Sequence, residues 1–359
     1  MSIFVTKSFM PPIEEYEAYI KKIYECGILT NQGPCVQELE KKLSNFLNVK
    51  HFQYLTNGTI ALQLALSALD IDDGEVITTP FTYVATISSI LWQRCKPVFI
   101  DIEANNFTID VNKIENAITD KTKAIMGVHV FGYACDVDKI QEIANNNNLK
   151  VIYDGAHAFA SKYKGKSLLS FGDITTVSFH ATKLFHTIEG GGCIVKDKGI
   201  SDKLDLQKRF GHQFDNHICL GINGKQSEFN AAMGLANFPY IDRIIAERKR
   251  VSDLYDSELS IIVVRPKSQN GLEYNYAYYP VVFKSEKELL SVFDALKNQD
   301  IYARRYFYPS LNKLPYLSEY LDCPISQDIS SRIARLPLYP DLSNEDVLKI
   351  CKIIKRTIK

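Results

Sequence analysis

Between about residue 50 and residue 200 the chain alternates short β-rich apolar runs with stretches of helical spacing. A strand, a helix and another strand in series form the βαβ unit, and repeated units build a mainly parallel sheet covered by helices. Strands are predicted at His51–Leu55, Glu75–Thr79, Pro97–Asp101, Ala124–His129, Val151–Asp154, Thr175–Phe179 and Gly192–Val195. The first breaks at Thr56-Asn57-Gly58 and passes into a helix from Thr59 to Leu66. Another helix fits Val137–Asn145, with Asp136 placed to cap it, and the four asparagines 145–148 end it. The fold class is therefore α/β, with a mainly parallel mixed sheet in a large domain.

Further on the pattern changes. A charged helical stretch at Glu228–Val251 reads as the link to a second unit. Tyr276–Phe283 and Ile301–Tyr308 read as strands, and Glu286–Asn298 and Asn344–Ile354 as helices, which makes a smaller α+β domain. The division expected is 1–245 for an N-terminal segment with the large domain, and 246–359 for the small C-terminal domain. Forty-two basic residues balance 42 acidic ones, so no global field draws nucleic acid or an anionic membrane. No apolar stretch approaches the ~18 residues of a membrane span, and Met1–Lys7 does not read as a signal peptide. The eight cysteines are scattered without a C-x-x-C pair, which points to reduced thiols and a cytoplasmic setting.

The chemistry concentrates at strand ends. Val151-Ile152-Tyr153 ends at Asp154 and opens into Gly155-Ala156-His157. Some thirty residues later, Ser178-Phe179-His180-Ala181-Thr182-Lys183 is followed by Glu189-Gly190-Gly191-Gly192. A carboxylate on one strand end and a lysine beside the next suit pyridoxal 5'-phosphate: the lysine forms a Schiff base, and the carboxylate keeps the pyridine nitrogen protonated. Thr56-Asn57-Gly58-Thr59, at a helix N-terminus, suits a phosphate dianion or is an ordinary capped turn. Tyr83, after Pro80-Phe81-Thr82, can lay a ring on a cofactor or lie in the core. His129, His157, His180 and Asp154 could also be metal ligands, but they lack the close pairing common in zinc sites. No Gly-x-Ser-x-Gly elbow supports a serine hydrolase.

Taken together, these motifs resemble the DegT/DnrJ-type nucleotide-sugar aminotransferases, which are pyridoxal phosphate enzymes of the aspartate-aminotransferase-like fold type I. The resemblance rests on Asn57-Gly58-Thr59-x-Ala61-Leu62, Asp154-x-Ala156-His157-Ala158, Ser178-Phe179-His180-x-x-Lys183, Glu189-Gly190-Gly191, Gly221–Lys225 with Glu228, and Leu336–Ser343. It implies that Lys183 carries the cofactor and shuttles the proton, that Asp154 holds the pyridine nitrogen, and that Tyr83 stacks on the ring. By the same resemblance His157 contacts the phenolic oxygen, and Gly58, Thr59 and Ser178 bind phosphate. Asn223 reaches the cofactor of a neighbouring copy, so a homodimer with shared active sites is expected.

L-Glutamate is the implied amino donor, and a nucleotide-linked keto sugar the acceptor. His180-Ala181-Thr182-Lys183 with Glu189 is more similar to enzymes acting at carbon 4 than at carbon 3. The whole chain looks most like those that convert dTDP-4-keto-6-deoxyglucose to dTDP-4-amino-4,6-dideoxyglucose for bacterial surface polysaccharide. A 3-aminotransferase and a non-catalytic regulatory homologue are the alternatives. Tyr308 and Asn312 stand where nucleotide-sugar contacts are expected, and both Asn312 and Tyr339 occupy positions where relatives often carry histidine.

Overall fold

The computed structural model describes residues 2–317 and 321–358. Seven strands form the central sheet: β1 (His51–Leu55), β2 (Glu75–Thr78), β3 (Lys96–Phe99), β4 (Thr122–Val128), β5 (Lys150–Asp154), β6 (Ile174–Ser178) and β7 (Gly191–Val195). Their spatial order is β1-β7-β6-β5-β4-β2-β3. Pairing is parallel from β3 through β6, and β7 runs antiparallel to both β6 and β1. Runs such as Val151-Ile152-Tyr153 are buried without alternation, as expected of strands covered on both faces. All seven strands fall within one or two residues of their predicted places.

Helices cover the sheet. Gly58–Ala68 begins where β1 ends, and Asn57 caps it by accepting the Ile60 N–H at 2.8 Å. Val137–Asn146 is capped by Asp136 as expected. Four helices in this part were not foreseen: Ile13–Cys26, Pro34–Leu47, Val84–Trp92 and Lys198–Gln207. The buried carboxylate of Glu228 caps Pro34–Leu47 from a distance, accepting the Cys35 and Val36 N–H groups at 2.6 and 3.1 Å.

The long helix expected at Glu228–Val251 is two helices, Glu228–Asn237 and Ile241–Leu259. They are separated by a single turn at Phe238-Pro239-Tyr240, where Pro239 brings no N–H to continue the ladder. Beyond it a second apolar core gathers Val251, Tyr255, Leu289, Val292, Leu336, Ile350 and Ile354, and Ile3 joins it. Ile3 bridges Ile301, and the Leu338 N–H donates to the Val5 carbonyl at 3.2 Å. The helices Glu286–Lys297 and Asn344–Thr357 stand where expected.

The two strands expected in this part are shorter than the sequence suggests. Only Pro280–Val282 pairs, with Ile333–Arg335. Ile301–Tyr308 is not a strand: bridges form at Ile301 and Arg304 only. Tyr306 and Phe307 are consecutive and both buried, yet their side chains share one cluster, whereas successive strand residues point to opposite faces. They join an aromatic cluster with Phe81, Phe131 and Tyr278.

His129 follows β4 and stacks on Tyr153 at 4.4 Å. Its Nδ1 accepts the Cys135 N–H at 3.2 Å, and complete burial holds its pKa down to about 3. The unfolded chain takes up this proton near pH 6.5 and the folded chain does not, so stability falls as pH drops through that window. The expected contribution is up to about 1.4 kcal/mol per pH unit. Urea denaturation between pH 6.5 and 4 should show a shallower pH slope in His129→Asn than in the wild type, whatever the absolute stabilities.

Candidate active site

Strands β1, β2, β4, β5 and β6 all point their carboxyl ends at one edge of the sheet, the place where open α/β sheets collect ligands. A cavity of about 720 Å³ lies there. Six of the residues predicted for cofactor binding line it together with Lys183: Gly58, Thr59, Tyr83, Asp154, His157 and Ser178. The second unit closes it with Tyr278, Arg304, Tyr306, Phe307 and Arg335, and the N-terminal Val5 and Thr6 lie on its rim.

One end is shaped for an anion. Among the described residues no carbonyl or side chain takes the first N–H groups of helix Gly58–Ala68, those of Gly58 and Thr59. Free amides at a helix N-terminus carry partial positive charge. A Cβ on Gly58 would come within 3.0 Å of the Ser178 Cβ, so glycine leaves the space beside that hydroxyl open. The glycine run holds this turn from beneath. A Cβ on Gly191 would lie 2.4 Å from the Asn57 carbonyl carbon and 2.6 Å from the Gly58 nitrogen. Gln226 and Asn230 fix the entry to that run by donating to the Glu189 carbonyl at 2.7 and 2.8 Å.

Asp154 stands at the end of β5, 6% exposed. It accepts the Thr86 hydroxyl at 2.7 Å and the Ala156 N–H at 3.0 Å, and Thr86 in turn lies 2.8 Å from the Thr82 hydroxyl. These bonds aim the carboxylate. Lys183 Nζ donates to the Tyr278 hydroxyl at 3.2 Å. His157 is buried, and Nδ1 accepts the Phe131 N–H at 3.0 Å, which leaves the proton on Nε2. Burial first, then the positive charges of Lys183 and Arg335, hold its pKa well below 6.5, so the ring is neutral. Nε2 lies 3.3 Å from the Tyr306 hydroxyl, so a cofactor oxygen would share that nitrogen with the phenol.

Three of the predicted residues lie outside this cavity. Asn223 is exposed on the loop whose Gly224 carbonyl accepts the Thr56 N–H, and it accepts from Lys225 Nζ at 2.8 Å. Tyr308 is half exposed with the Arg305 guanidinium 3.3 Å over its ring. Asn312, expected at a sugar contact, is 1% exposed, accepts from the Ser310 hydroxyl and donates to the Leu321 carbonyl at 2.6 Å. Its amide holds a turn. Tyr339 likewise belongs to the second apolar core. The sequence reading missed Thr86, Gln226, Asn230, Tyr278 and Arg335. A signal existed for Arg335, a lone charge in the apolar run Ile333-Ala334-Arg335-Leu336.

Residues 12–355 match the DegT/DnrJ/EryC1/StrS aminotransferase family. The chain belongs to that family. The aminotransferase is 42% identical to a dTDP-4-amino-4,6-dideoxy-D-glucose transaminase of Shigella dysenteriae over 99% of both chains. It is 40% identical to the Escherichia coli protein of the same description, over 98% of this chain and 97% of that one. The crystal structure of DesI in the presence of its TDP-sugar product matches with a TM-score of 0.94 at 26% identity, covering 99% of this chain and 92% of that one. The architecture is accordingly aspartate-aminotransferase-like, fold type I.

Because the atoms facing Gly191 are main chain and cannot swing away, Gly191→Ala in this aminotransferase should displace the Asn57–Gly58 turn. The expected cost is about 1–3 kcal/mol, read from the urea midpoint. An unchanged midpoint would show that the turn has slack.

Proposed function

We propose that the chain carries pyridoxal 5'-phosphate and transfers an amino group from L-glutamate to carbon 4 of a nucleotide-linked 4-keto-6-deoxyhexose. The substrate proposed is dTDP-4-keto-6-deoxy-D-glucose, and the product dTDP-4-amino-4,6-dideoxy-D-glucose, a precursor for surface polysaccharide made in the cytoplasm. The observation that carries the reading is the convergence in one cavity of an amine at Lys183, a fixed carboxylate at Asp154 and a free-amide turn at Gly58 and Thr59. The full-length likeness to transaminases named for that product supports the choice of sugar.

The residues present fit the cofactor. When bound, pyridoxal phosphate supplies an electron sink for the carbon that gains or loses the amine. Gly58, Thr59 and Ser178 would hold the phosphate, with the Gly191 backbone keeping the turn in place. Asp154, held by Thr86 and Ala156, would meet the pyridine nitrogen and keep it protonated. Tyr83 would cover the ring, and neutral His157 would offer its Nε2 proton to the phenolic oxygen while Phe131 fixes the ring plane. Lys183 would accept the proton from the donor's carbon and return it to the sugar's carbon 4, one amine serving both halves of the reaction. The Tyr278 hydroxyl, accepting from Lys183 Nζ, keeps that amine beside the reacting atoms.

A second copy is part of the proposal. Asn223 is exposed beyond its own cavity, and next to it Phe214 and Leu220 are each 89% exposed. Apolar side chains grouped on a loop this way suit burial against another subunit. Asn223 of one copy would then reach the phosphate held by the other.

The test is the visible absorption of the purified protein before and after L-glutamate, followed by dTDP-4-keto-6-deoxy-D-glucose. A yellow band that bleaches with the donor and returns with the keto sugar is the expected result, and a protein that stays colourless after incubation with pyridoxal phosphate overturns it. Lys183→Ala should retain cofactor without a covalent link and lose turnover; substantial residual transamination would remove the role given to Lys183. Asn223→Ala should lower cofactor retention several-fold, measured after gel filtration of the dimer, and unchanged retention would leave the shared site without its main support.

A further inference from the structure

Leu272 and Glu273 pair with Tyr163 and Lys162, and Pro280–Val282 pairs with Ile333–Arg335 in the second unit. Between these pairings residues 274–279 belong to no strand, so their main-chain groups need partners elsewhere. Asn275 lies in this crossing and is 1% exposed. Its Nδ2 donates to the His157 and Phe159 carbonyls, both at 2.8 Å, and its Oδ1 accepts the Ala277 N–H at 3.0 Å. Among the described residues no main-chain N–H reaches either of those two carbonyls.

The groups on either side of this amide face the reaction. His157 lines the cavity, with its Nε2 toward Tyr306. Further along Asn275's own segment, the Tyr278 hydroxyl accepts from Lys183 Nζ at 3.2 Å. The His157 and Tyr278 ring centres are 4.3 Å apart. A third stretch of chain meets the amide at Gly132, where an added Cβ would lie 2.7 Å from Oδ1 and 3.1 Å from the His157 carbonyl oxygen. Gly132 follows Phe131, whose N–H fixes the His157 ring. One neutral side chain thus ties together the turn that orients the imidazole, the loop that carries it and the segment that carries the phenol.

We propose that Asn275 is a positioning residue for the reaction, setting the His157 imidazole and the Tyr278 hydroxyl at a fixed spacing around Lys183. This rests on the aminotransferase reading above and adds to it a residue that acts only through others. Removing the amide leaves two buried carbonyls without a donor, and the loop that holds His157 has to move to satisfy them. A hydrogen bond given to the cofactor's phenolic oxygen favours its anionic form, so it lowers the pH at which the bound cofactor gives up its proton. Asn275 carries no charge. A change in that pH on its removal reports movement of the groups that do bear on it, which are His157, Asp154, Lys183, Arg335, Tyr278 and Tyr306.

The same segment supplies a control. Gln269 donates to the Ala134 carbonyl at 2.7 Å and accepts the Ala134 N–H at 2.8 Å, a link of the same kind to a residue outside the cavity. The test follows the visible band of the cofactor-loaded protein against pH. In Asn275→Ala its midpoint should rise by about one unit. Turnover with L-glutamate should fall on the order of 10- to 100-fold, through kcat more than KM. Gln269→Ala should lower the urea midpoint and leave the band's pH midpoint where it is in the wild type. A midpoint that stays or falls in Asn275→Ala, or that rises equally in Gln269→Ala, overturns the proposal. If Asn275→Ala does not fold, Asn275→Ser keeps one donor for the two carbonyls and should show a smaller rise; no rise overturns the proposal there too. Failure of the underlying reading looks different: a wild type with no visible band after incubation with pyridoxal phosphate removes the cofactor chemistry itself.

Discussion

A sheet covered on both faces keeps side chains with free polar atoms for the ends of its strands, because main-chain groups in its middle are taken by neighbours and buried mid-strand hydroxyls such as those of Thr175 and Thr176 are spent on backbone carbonyls. The parallel strands here all end on the same edge, so Asp154, Ser178 and the Asn57–Gly58 turn emerge together although the chain separates them widely. The antiparallel strand Gly191–Val195 serves the same edge from the opposite direction. It starts there, between the ends of His51–Leu55 and Ile174–Ser178, and its first glycine lets the phosphate turn settle against bare backbone. The site depends on this direction reversal as much as on the parallel strands around it.

The second unit contributes chemistry of another kind. The sheet edge offers hydrogen-bond donors and one carboxylate, whereas the facing wall offers phenols and guanidinium groups in an aromatic setting. Tyr278 joins the two, touching Lys183 from one side and Arg335 from the other. A phenol suits that position: its ring tolerates the cation stacked on it, and its oxygen accepts from the amine.

What the sequence revealed and what it hid divide along physical lines. Asp154 and the glycine run were legible because each sits at a strand end, and Lys183 because it lies in the loop that joins Ser178 to that run. The strands of the sheet were legible because burial on both faces leaves long apolar runs. Thr86 and Tyr278 were hidden because the helix that holds one and the irregular segment that holds the other have patterns that say nothing of the cavity they line. Asn312 was singled out by the resemblance alone, and only the fold shows its amide committed to Ser310 and Leu321. The break at Pro239 was visible in the sequence, yet the helical spacing on both sides masked it. Tyr306 and Phe307 defeated a strand reading because both were drawn into one aromatic cluster.

The pairing of Ile3 with Ile301 and of Val5 with Leu338 has a consequence for how this molecule is born on a ribosome. Val5 lines the cavity, yet its main-chain partner Leu338 is translated long after it. The sheet, built largely from local βαβ crossovers, can assemble during synthesis, while the rim must wait for Ile301 and Leu338 and for the closure of a very long loop. A nascent chain can thus hold its phosphate turn and its lysine in place well before the cavity acquires its far wall. Competence to act on a substrate arrives only with the residues of that wall.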